Sequence, residues 1–374
     1  MNAIFSTFVA LSFVLASWGV QSPVLAAAAS PALQKAKQEA EAKGLIFETS
    51  RDEIVAKAKK EGSVRILTSL DTDTYKPMTD SFKKKYPFLD AQIQEITGTE
   101  ATQRFLLELK AGTVREWDVA HASEDFYDQF RGQAKKFDIL GMAEQGVLRI
   151  PPKMVDPDSR HFVSMASAAG SIAYNKNRVP PEKVPNSWED FLKPELKGRK
   201  FVADIRPHGM ASLTVAMGEE WVMSYARKLK EQQPIWARGH TRVLTSITAG
   251  EYALHQLTNY HSCVRAAQKD VTKSLVCKVI EPVPVRLTEH DFVVNSSSRP
   301  YTALLWLEHV ASPEGQKVID DYEPVKSSLF ADGEIAKLVK GKKISLNDYK
   351  TFHSTPKRMQ MVLEAYGFPK ADVR

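Results

Sequence analysis

The sequence predicts a two-lobed α/β protein, and three observations support this fold class. The chain has 374 residues, more than the roughly 100–200 residues of one domain. Its 43% hydrophobic and 26% charged residues are typical of a folded globular protein. Short β-rich runs alternate with amphipathic helical segments of about 10–15 residues, a pattern that predicts βαβ crossovers and a mainly parallel sheet.

The N-terminal segment is typical of a secretory signal peptide. Residues 4–20 are apolar or small and uncharged, and the following "VLAAAAS" offers small residues for cleavage after Ala26 or Ala28. We assign residues 1–26 to the signal peptide, although no Lys or Arg precedes the apolar run. An uncleaved anchor helix is the alternative, but the run is short for a membrane span of about 20 residues. The sequence therefore predicts an exported protein.

The first lobe is predicted over residues 60–165. Before it, residues 27–59 are rich in Ala, Lys and Glu and predict an extension of exposed helices, which Gly62 ends. "SVRILTSL" is the first predicted strand, and apolar residues recur every three or four positions in the helix "TYKPMTDSFKKKYP". "DAQIQEI" and "WDVAHAS" are the next strands, with the helix "TGTEATQRFLLELKAG" between them.

A second α/β lobe is predicted over residues 166–286. At its start, "FVSMASAAGSIAYN" is long enough to hold two strands, and "EEWVMSYARKLKEQQP" is an amphipathic helix. The segment "TAGEYALHQLTNY" predicts a turn and a strand, and "CKVIEPVPVRL" is extended. Residues 287–374 then read as a mainly helical return segment, which we assign to lobe 1.

The two cysteines, Cys263 and Cys277, are 14 positions apart. In an oxidising compartment we expect them to form a disulfide that stabilises the fold by about 3 kcal/mol in the chain-entropy model. Two buried thiols are the alternative. A metal site is not expected on them, because no Cys-x-x-Cys pattern or nearby histidine pair completes four ligands.

Charge and motifs exclude several function classes. The net charge of +6 is spread along the chain, without the clustered basic patch or aromatic motif of a nucleic-acid-binding protein. The nine histidines are scattered, and the sequence contains no Gly-x-Ser-x-Gly elbow, His-Glu-x-x-His helix or phosphate-binding loop. We therefore expect a protein that is not an enzyme, with a secreted hydrolase as the alternative from another class.

Seven phrases in order carry a resemblance to a known family over about residues 60–325. They are "VRILTSLDTDTYKPMTDSFKKKYP", "TGTEATQRFLLELKAG", "WDVAHAS", "SIAYN", "NSWEDFLKPELKG", "AGEYAL" and "SPEGQ". Together they resemble the extracellular solute-binding proteins of bacterial ABC importers, in the branch that includes ferric-ion-, polyamine- and sugar-phosphate-binding members. The resemblance implies a type II periplasmic-binding-protein fold, with two lobes joined by two crossing strands and closing over a ligand. It also implies a periplasmic monomer without a cofactor that docks on an ABC permease.

The loops after the predicted strands offer groups that suit an anion. Ligands of open α/β sheets lie beyond the carboxyl ends of the strands, where N–H groups at helix starts favour negative charge. On the first lobe these positions are Ser69, Asp71, Thr97, Gly98, Thr99, Ser123 and Glu124. Residues such as Thr99 and Asp71 are equally explained as helix N-caps.

In the second lobe, "DIRPHGMASLT" places Arg206, His208 and Gly209 before a helix. These residues could clamp a carboxylate or phosphate, with a basic surface turn as the alternative. We therefore expect a small organic or phosphorylated anion as the ligand.

The resemblance keeps a ferric-ion receptor as an alternative, with the ion as transported ligand. In ferric-binding relatives two adjacent tyrosines supply phenolates, and here the matching positions are Tyr260 and His261, so one tyrosine is replaced. Glu124, or Ser123 in a shifted register, matches the carboxylate ligand, and Asp71 falls in the N-terminal ligand loop. A single phenolate offers less hard anionic oxygen than that site uses. Tyr260 and His261 could instead line an organic-anion pocket.

Overall fold

The computed structural model of the protein describes residues 30–368. The predicted signal peptide lies outside the described residues. No helix within residues 30–368 is both long enough and apolar enough to cross a membrane.

The described chain contains ten strands and fifteen α-helices. The strands are β1 (Ser63–Thr68), β2 (Asp90–Glu95), β3 (Val119–Ala122), β4 (Val163–Asn175), β5 (Val202–Asp204), β6 (Ile235–Ala237), β7 (Leu254–Asn259), β8 (Leu275–Lys278), β9 (Val283–Val293) and β10 (Ile344–Asn347). The helices are α1 (Pro31–Ala42), α2 (Arg51–Glu61), α3 (Tyr75–Lys85), α4 (Thr99–Lys110), α5 (Tyr127–Phe130), α6 (Ile139–Glu144), α7 (His208–Met217), α8 (Glu219–Glu231), α9 (His240–Thr248), α10 (Tyr260–Lys269), α11 (Pro300–Ala311), α12 (Pro313–Tyr322), α13 (Glu334–Val339), α14 (Tyr349–Phe352) and α15 (Thr355–Tyr366).

All ten strands belong to one mixed sheet. Its order is β2-β1-β3-β9-β4-β7-β5-β6, with β10 paired to β9 and β8 paired to β4. β1 runs parallel to β2 and β3, and β5 runs parallel to β6 and β7. β4 and β9 run antiparallel to each other and to most of their other neighbours. The predicted α/β class, with mixed sheets flanked by helices, is confirmed.

Strands β4 and β9 are the two strands that join the lobes. Residues 163–169 of β4 pair with β9, whereas residues 170–175 pair with β7 and β8 of the second lobe. The prediction of two strands in this segment is therefore wrong. The segment is one continuous strand that pairs with β9 in its first half and with second-lobe strands in its second half. A Cβ on Gly170 would lie 2.5 Å from Pro284 and 2.8 Å from Leu257, so only glycine allows this close approach.

Each lobe has its own hydrophobic core. In the first lobe, helices α2, α3 and α11 pack around fully buried side chains such as Ile54 and Phe82. In the second, Trp188 and Phe191 pack with Leu213 of α7. These two cores belong to different lobes, which β4 and β9 connect.

The N-terminal extension is more buried than predicted. Ser50 accepts a hydrogen bond from the N–H of Glu53 and caps α2, and Gly62 ends that helix at φ 76°. Ile54 of α2 has no exposed surface, and Arg51 forms an ion pair with the buried Glu308 at 2.5 Å. The prediction of exposed helices is wrong for α2, because the face of this helix that carries Ile54 packs against α11.

The C-terminal helix lies on the second lobe. Val362, Ala365 and Tyr366 of α15 pack in the core that contains Trp188. The assignment of the whole segment 287–374 to lobe 1 is therefore wrong for α15, whose apolar face covers α7 and α8. We keep the other boundaries, residues 60–165 and 166–286, as a proposal.

Candidate functional site

A cleft of about 350 Å³ lies between the lobes. The loops after β1, β2 and β3 form one wall, the starts of α7 and α10 form the other, and β9 forms the floor. The lining residues are Ser69, Ile96, Thr97, Gly98, Thr99, Thr102, His121, Ser123, Glu124, Asp125, Phe126, Ala168, Arg206, His208, Asn259, His261, Arg286, Thr288, Glu289 and Lys326.

The first-lobe wall presents hydrogen-bond donors. Gly98 precedes α4 with φ 85°, and the first N–H groups of that helix, like those of any helix, have no carbonyl partner within the helix. The hydroxyl oxygen of Ser123 is buried and makes no hydrogen bond within the described chain. The wall therefore offers N–H and O–H groups, and the positive end of the α4 dipole, to a ligand.

Arg206 provides a positive charge on the second-lobe wall. It follows β5, where its backbone N–H donates to Asp204 Oδ1 at 2.8 Å. Its side chain is exposed, and among residues 30–368 no carboxylate lies within 4.0 Å of its guanidinium. A guanidinium in this position can bind a carboxylate or phosphate through two parallel hydrogen bonds.

Two histidines flank Arg206. His208 begins α7, and its Nε2 lies 4.0 Å across the cleft from Asp125 Oδ1. Burial, aided by the charges of Arg286 and Arg206, lowers the pKa of His208 to about 3. Burial, aided by Lys326, also lowers the pKa of His261 well below its usual value. Both imidazoles are therefore neutral at pH 7 and can donate or accept a hydrogen bond to a ligand.

Arg286 and Glu124 form a buried ion pair at the back of the cleft. The side chains are 15% and 10% exposed. Burial raises the pKa of Glu124 and outweighs the opposing effect of Arg286. This arginine already has a carboxylate partner, which distinguishes it from Arg206.

A buried charge cluster lies on the cleft floor, and the sequence analysis missed it. Glu289 of β9 accepts hydrogen bonds from Ser69 and from Thr68 Oγ1, and Lys326 Nζ lies 3.6 Å from its Oε1. Burial opposes ionisation of Glu289, but His121, Lys326 and Ser69 outweigh it and lower its pKa. Burial, together with the charge of Glu289, raises the pKa of the neighbouring Asp291 well above its usual value.

Glu289 also has an unusual backbone. Its φ of 53° lies in the left-handed region, which costs on the order of 1 kcal/mol or more for a residue other than glycine. The polar run "TEHD" within β9 is a sequence signal that could have indicated this cluster.

The structure brings nine of the twelve predicted ligand positions to the cleft. They are Ser69, Thr97, Gly98, Thr99, Ser123, Glu124, Arg206, His208 and His261. Asp71, Gly209 and Tyr260 are not among the residues that line it. A Cβ on Gly209 would lie 2.5 Å from Leu257 Cδ2, so this glycine permits close packing of α7 on β7.

Tyr260 lies beside the cleft in an apolar environment. It begins α10 and packs against a cluster that contains Ala169, Val283 and Val285. Burial raises the pKa of its hydroxyl, which disfavours the phenolate form. The described residues that line the cleft include no tyrosine.

Asp71 forms an ion pair between the lobes. Its carboxylate accepts a hydrogen bond from Arg265 of α10, and its side chain also caps the N–H of Asp73. Burial opposes ionisation of Asp71, but the hydrogen bonds from Asp73 and Arg265 outweigh it and lower its pKa. The pair links the loop after β1 to the second lobe.

The disulfide holds α10 against the sheet. Cys263 and Cys277 are bonded at 2.03 Å, and Cys263 is fully buried. Because α10 carries His261 and Arg265, the bond fixes the element that supplies both side chains.

Comparison with known proteins gives a family match over most of the chain. Residues 119–355 match the model of a family described as bacterial extracellular solute-binding protein. No curated protein sequence matches the chain significantly.

Solved structures with the same fold come from several bacteria. A Trichodesmium protein in complex with iron and citrate is 20% identical, with a TM-score of 0.63, over 82% of this chain and all of the other. Apo ferric ion-binding protein A of Pasteurella haemolytica is 15% identical, with a TM-score of 0.63, over 83% of this chain and all of the other. The ferric binding protein from Campylobacter jejuni is 18% identical, with a TM-score of 0.59, over 82% of this chain and all of the other. At these identities the similarity establishes the fold.

Proposed function

Because the chain belongs to the family of bacterial extracellular solute-binding proteins, we propose that it binds a small organic or phosphorylated anion between its lobes and delivers it to an ABC importer. The receptor function follows from the family. The choice of an anion rests on one observation, the exposed guanidinium of Arg206 in the cleft wall, which has no carboxylate within 4.0 Å among residues 30–368.

The distribution of charge in the cleft supports this choice. Arg286 is paired with Glu124, and Lys326 lies 2.7 Å from Glu323 and 3.6 Å from Glu289. Arg206 is thus the basic lining residue that still lacks a carboxylate partner within 4.0 Å among the described residues. An anion would supply that partner.

The opposite wall supports the same ligand class. The N–H groups at the start of α4 and the unpaired hydroxyl of Ser123 lie on the first lobe, and Arg206 lies on the second. An anion that contacts both walls would stabilise the closed arrangement of the lobes, because its contacts to one wall are lost on opening. A permease could then distinguish the closed receptor with bound ligand from the open, empty receptor.

The remaining properties are proposed from the family. We place the protein in the periplasm as a monomer, and its partner is the permease of the importer. The family consists of binding proteins rather than enzymes. A hydrolase would convert its ligand, whereas a receptor releases one equivalent of unchanged ligand, so recovery of the bound compound separates the two.

A thermal-shift screen tests the proposed ligand class. The protein is unfolded and refolded to remove bound ligand, and then mixed with organic acids, phosphorylated sugars, polyamines, and ferric salts with and without citrate. A ligand at 100 times its dissociation constant stabilises the folded state by about 2.7 kcal/mol. We expect an organic or phosphorylated anion to raise the melting temperature, and a response to polyamines alone would contradict the proposal.

A ferric-ion receptor is the second candidate, because the solved relatives include ferric-binding proteins. Glu124 and His261 line the cleft, but Tyr260 does not. Iron bound by a phenolate gives a red charge-transfer band, and we expect no such band here. A band that appears with ferric citrate and disappears in Tyr260→Phe would move the assignment to ferric uptake.

A further inference from the structure

We propose that the cleft floor contains a binding site for a divalent transition-metal ion, formed by His121 of β3 and by Glu289 and Asp291 of β9. The site is distinct from the cleft walls to which we assign the anion, and it does not rest on that assignment. It is also distinct from the ferric alternative, which uses Tyr260 and His261.

The strand register brings the three side chains together. β3 and β9 are antiparallel neighbours, and His121 is paired directly with Asp291. Glu289 lies two positions before Asp291 on β9, and His121 Nδ1 lies within 4.0 Å of a carboxylate oxygen of each of them. One ligand atom from each residue can be chosen so that all three lie within 4.8 Å of one another.

The separations suit a metal ion. His121 Nδ1 lies 3.5 Å from Glu289 Oε2 and 3.8 Å from Asp291 Oδ1. Ligand atoms at about 2.1 Å from a tetrahedral metal ion are about 3.4 Å apart, because the edge of a tetrahedron is about 1.6 times its radius. The two separations exceed this value by about 0.1 Å and about 0.4 Å, and small side-chain rotations would close the difference.

Two of the three ligand atoms have no hydrogen-bond partner among residues 30–368. His121 Nδ1 and Asp291 Oδ1 are buried and make no hydrogen bond within the part of the chain that the structure describes. The two residues are 8% and 3% exposed. Buried polar atoms are normally paired, so a pair of unpaired atoms facing each other requires an explanation. One cation between them would satisfy both.

The third ligand is held in place by its surroundings. The Oε2 atom of Glu289 accepts hydrogen bonds from Thr68 Oγ1 at 3.3 Å and from the backbone N–H of Ser69 at 3.4 Å. Lys326 lies nearest to the other oxygen, Oε1, and so leaves the side of Oε2 that faces His121 open. Hydrogen bonds of this kind hold a carboxylate in the orientation needed to bind a metal ion before the ion arrives.

The ion would enter from the cleft. His121 and Glu289 line the cleft, so a hydrated cation reaches them without an opening of the core. One imidazole nitrogen and two carboxylate oxygens suit Mn²⁺, Fe²⁺, Co²⁺ or Zn²⁺. Mg²⁺ prefers a set of oxygen ligands and is expected to bind more weakly.

Titration with Mn²⁺ tests this site. The metal-stripped full chain, without any added anion, is titrated with MnCl₂ while the electron paramagnetic resonance signal of free Mn²⁺ is recorded. We expect one bound ion per chain and a modulation of the electron spin echo from a single imidazole nitrogen. This spectroscopic readout uses the unmodified protein and therefore does not depend on whether a variant folds.

Variants locate the bound ion. His121→Gln and Asp291→Asn should each weaken Mn²⁺ binding by at least about 10- to 100-fold. His161→Gln is the matched control, because His161 is also a buried histidine and lies outside the cluster. Absence of stoichiometric binding of both Mn²⁺ and Zn²⁺, or equal binding by His121→Gln and His161→Gln, would overturn the proposal. An anion response in the thermal-shift screen would be unaffected by that result.

Discussion

We predict that the ion pair between Asp71 and Arg265 stabilises the closed arrangement of the lobes. Asp71 lies in the first lobe and Arg265 in the second, so the pair exists only when the lobes are close. Asp71→Asn removes the charge but keeps an oxygen that can cap the N–H of Asp73. We expect the closed arrangement to lose stability relative to the open one, while each lobe keeps its own fold.

The magnitude follows from the exposure of the pair. The side chains of Asp71 and Arg265 are 28% and 31% exposed, so solvent screens their attraction in part. We take the upper end of the range for exposed pairs, about 1 kcal/mol. This free energy corresponds to about a fivefold fall in the ratio of closed to open molecules.

Distances between spin labels measure that ratio. Labels attached through Lys84→Cys on α3 and Lys228→Cys on α8 report one position on each lobe, and both lysines are exposed. Asp73→Asn is the matched control, since it removes a nearby exposed carboxylate for which the described structure gives no ion pair. Equal distance distributions for Asp71→Asn and Asp73→Asn would refute the reasoning.

Three further predictions concern stability. Replacement of Cys263 and Cys277 by serine should destabilise the chain by about 3 kcal/mol, measured by denaturant unfolding, and no loss would contradict the role of the disulfide. Burial lowers the pKa of His309 to about 4, so the unfolded chain gains a proton between about pH 6.5 and 4 that the folded chain does not, and stability falls as the pH drops. Between pH 7 and 5 the free energy of unfolding of His309→Leu should therefore fall by about 2 kcal/mol less than that of the native chain. An equal fall in both proteins would argue against this linkage. Gly315→Ala should cost about 1–3 kcal/mol by calorimetry, because the new Cβ would lie 2.3 Å from the carbonyl oxygen of His309; an unchanged melting temperature would be the contrary result.

The first-lobe wall of the cleft was predictable because parallel strands end at one edge of a sheet. Ser69, Thr97 and Ser123 follow three strands of the first lobe, and all three line the cleft. The order of strands and helices in the sequence is sufficient for this inference. No distance between the strands was needed.

Tyr260 shows where this reasoning fails. The segment around it was read as the end of a strand, but Tyr260 is the first residue of α10. Successive residues of a helix point about 100° apart, so Tyr260 and His261 leave the start of α10 in different directions. His261 lines the cleft, and Tyr260 is turned toward the apolar cluster.

Contacts between distant segments were not predictable from periodicity. Glu289 on β9 lies 3.6 Å from Lys326 in the segment after α12, and this pairing depends on how the return segment packs. The same limit applies to α15, whose apolar face could have covered either lobe. An amphipathic pattern indicates that a helix is covered on one side, but it does not identify the element that covers it.

The central claim is that an anion binds in the cleft through Arg206. Isothermal titration calorimetry of the anion that gives the largest thermal shift tests it most directly, with the native chain, Arg206→Ala and Arg227→Ala. Arg227 is an exposed arginine of α8 outside the cleft. We predict one site per chain, about a 30-fold weaker affinity for Arg206→Ala, equivalent to about 2 kcal/mol, and no change for Arg227→Ala. Equal affinities for all three proteins would contradict the account.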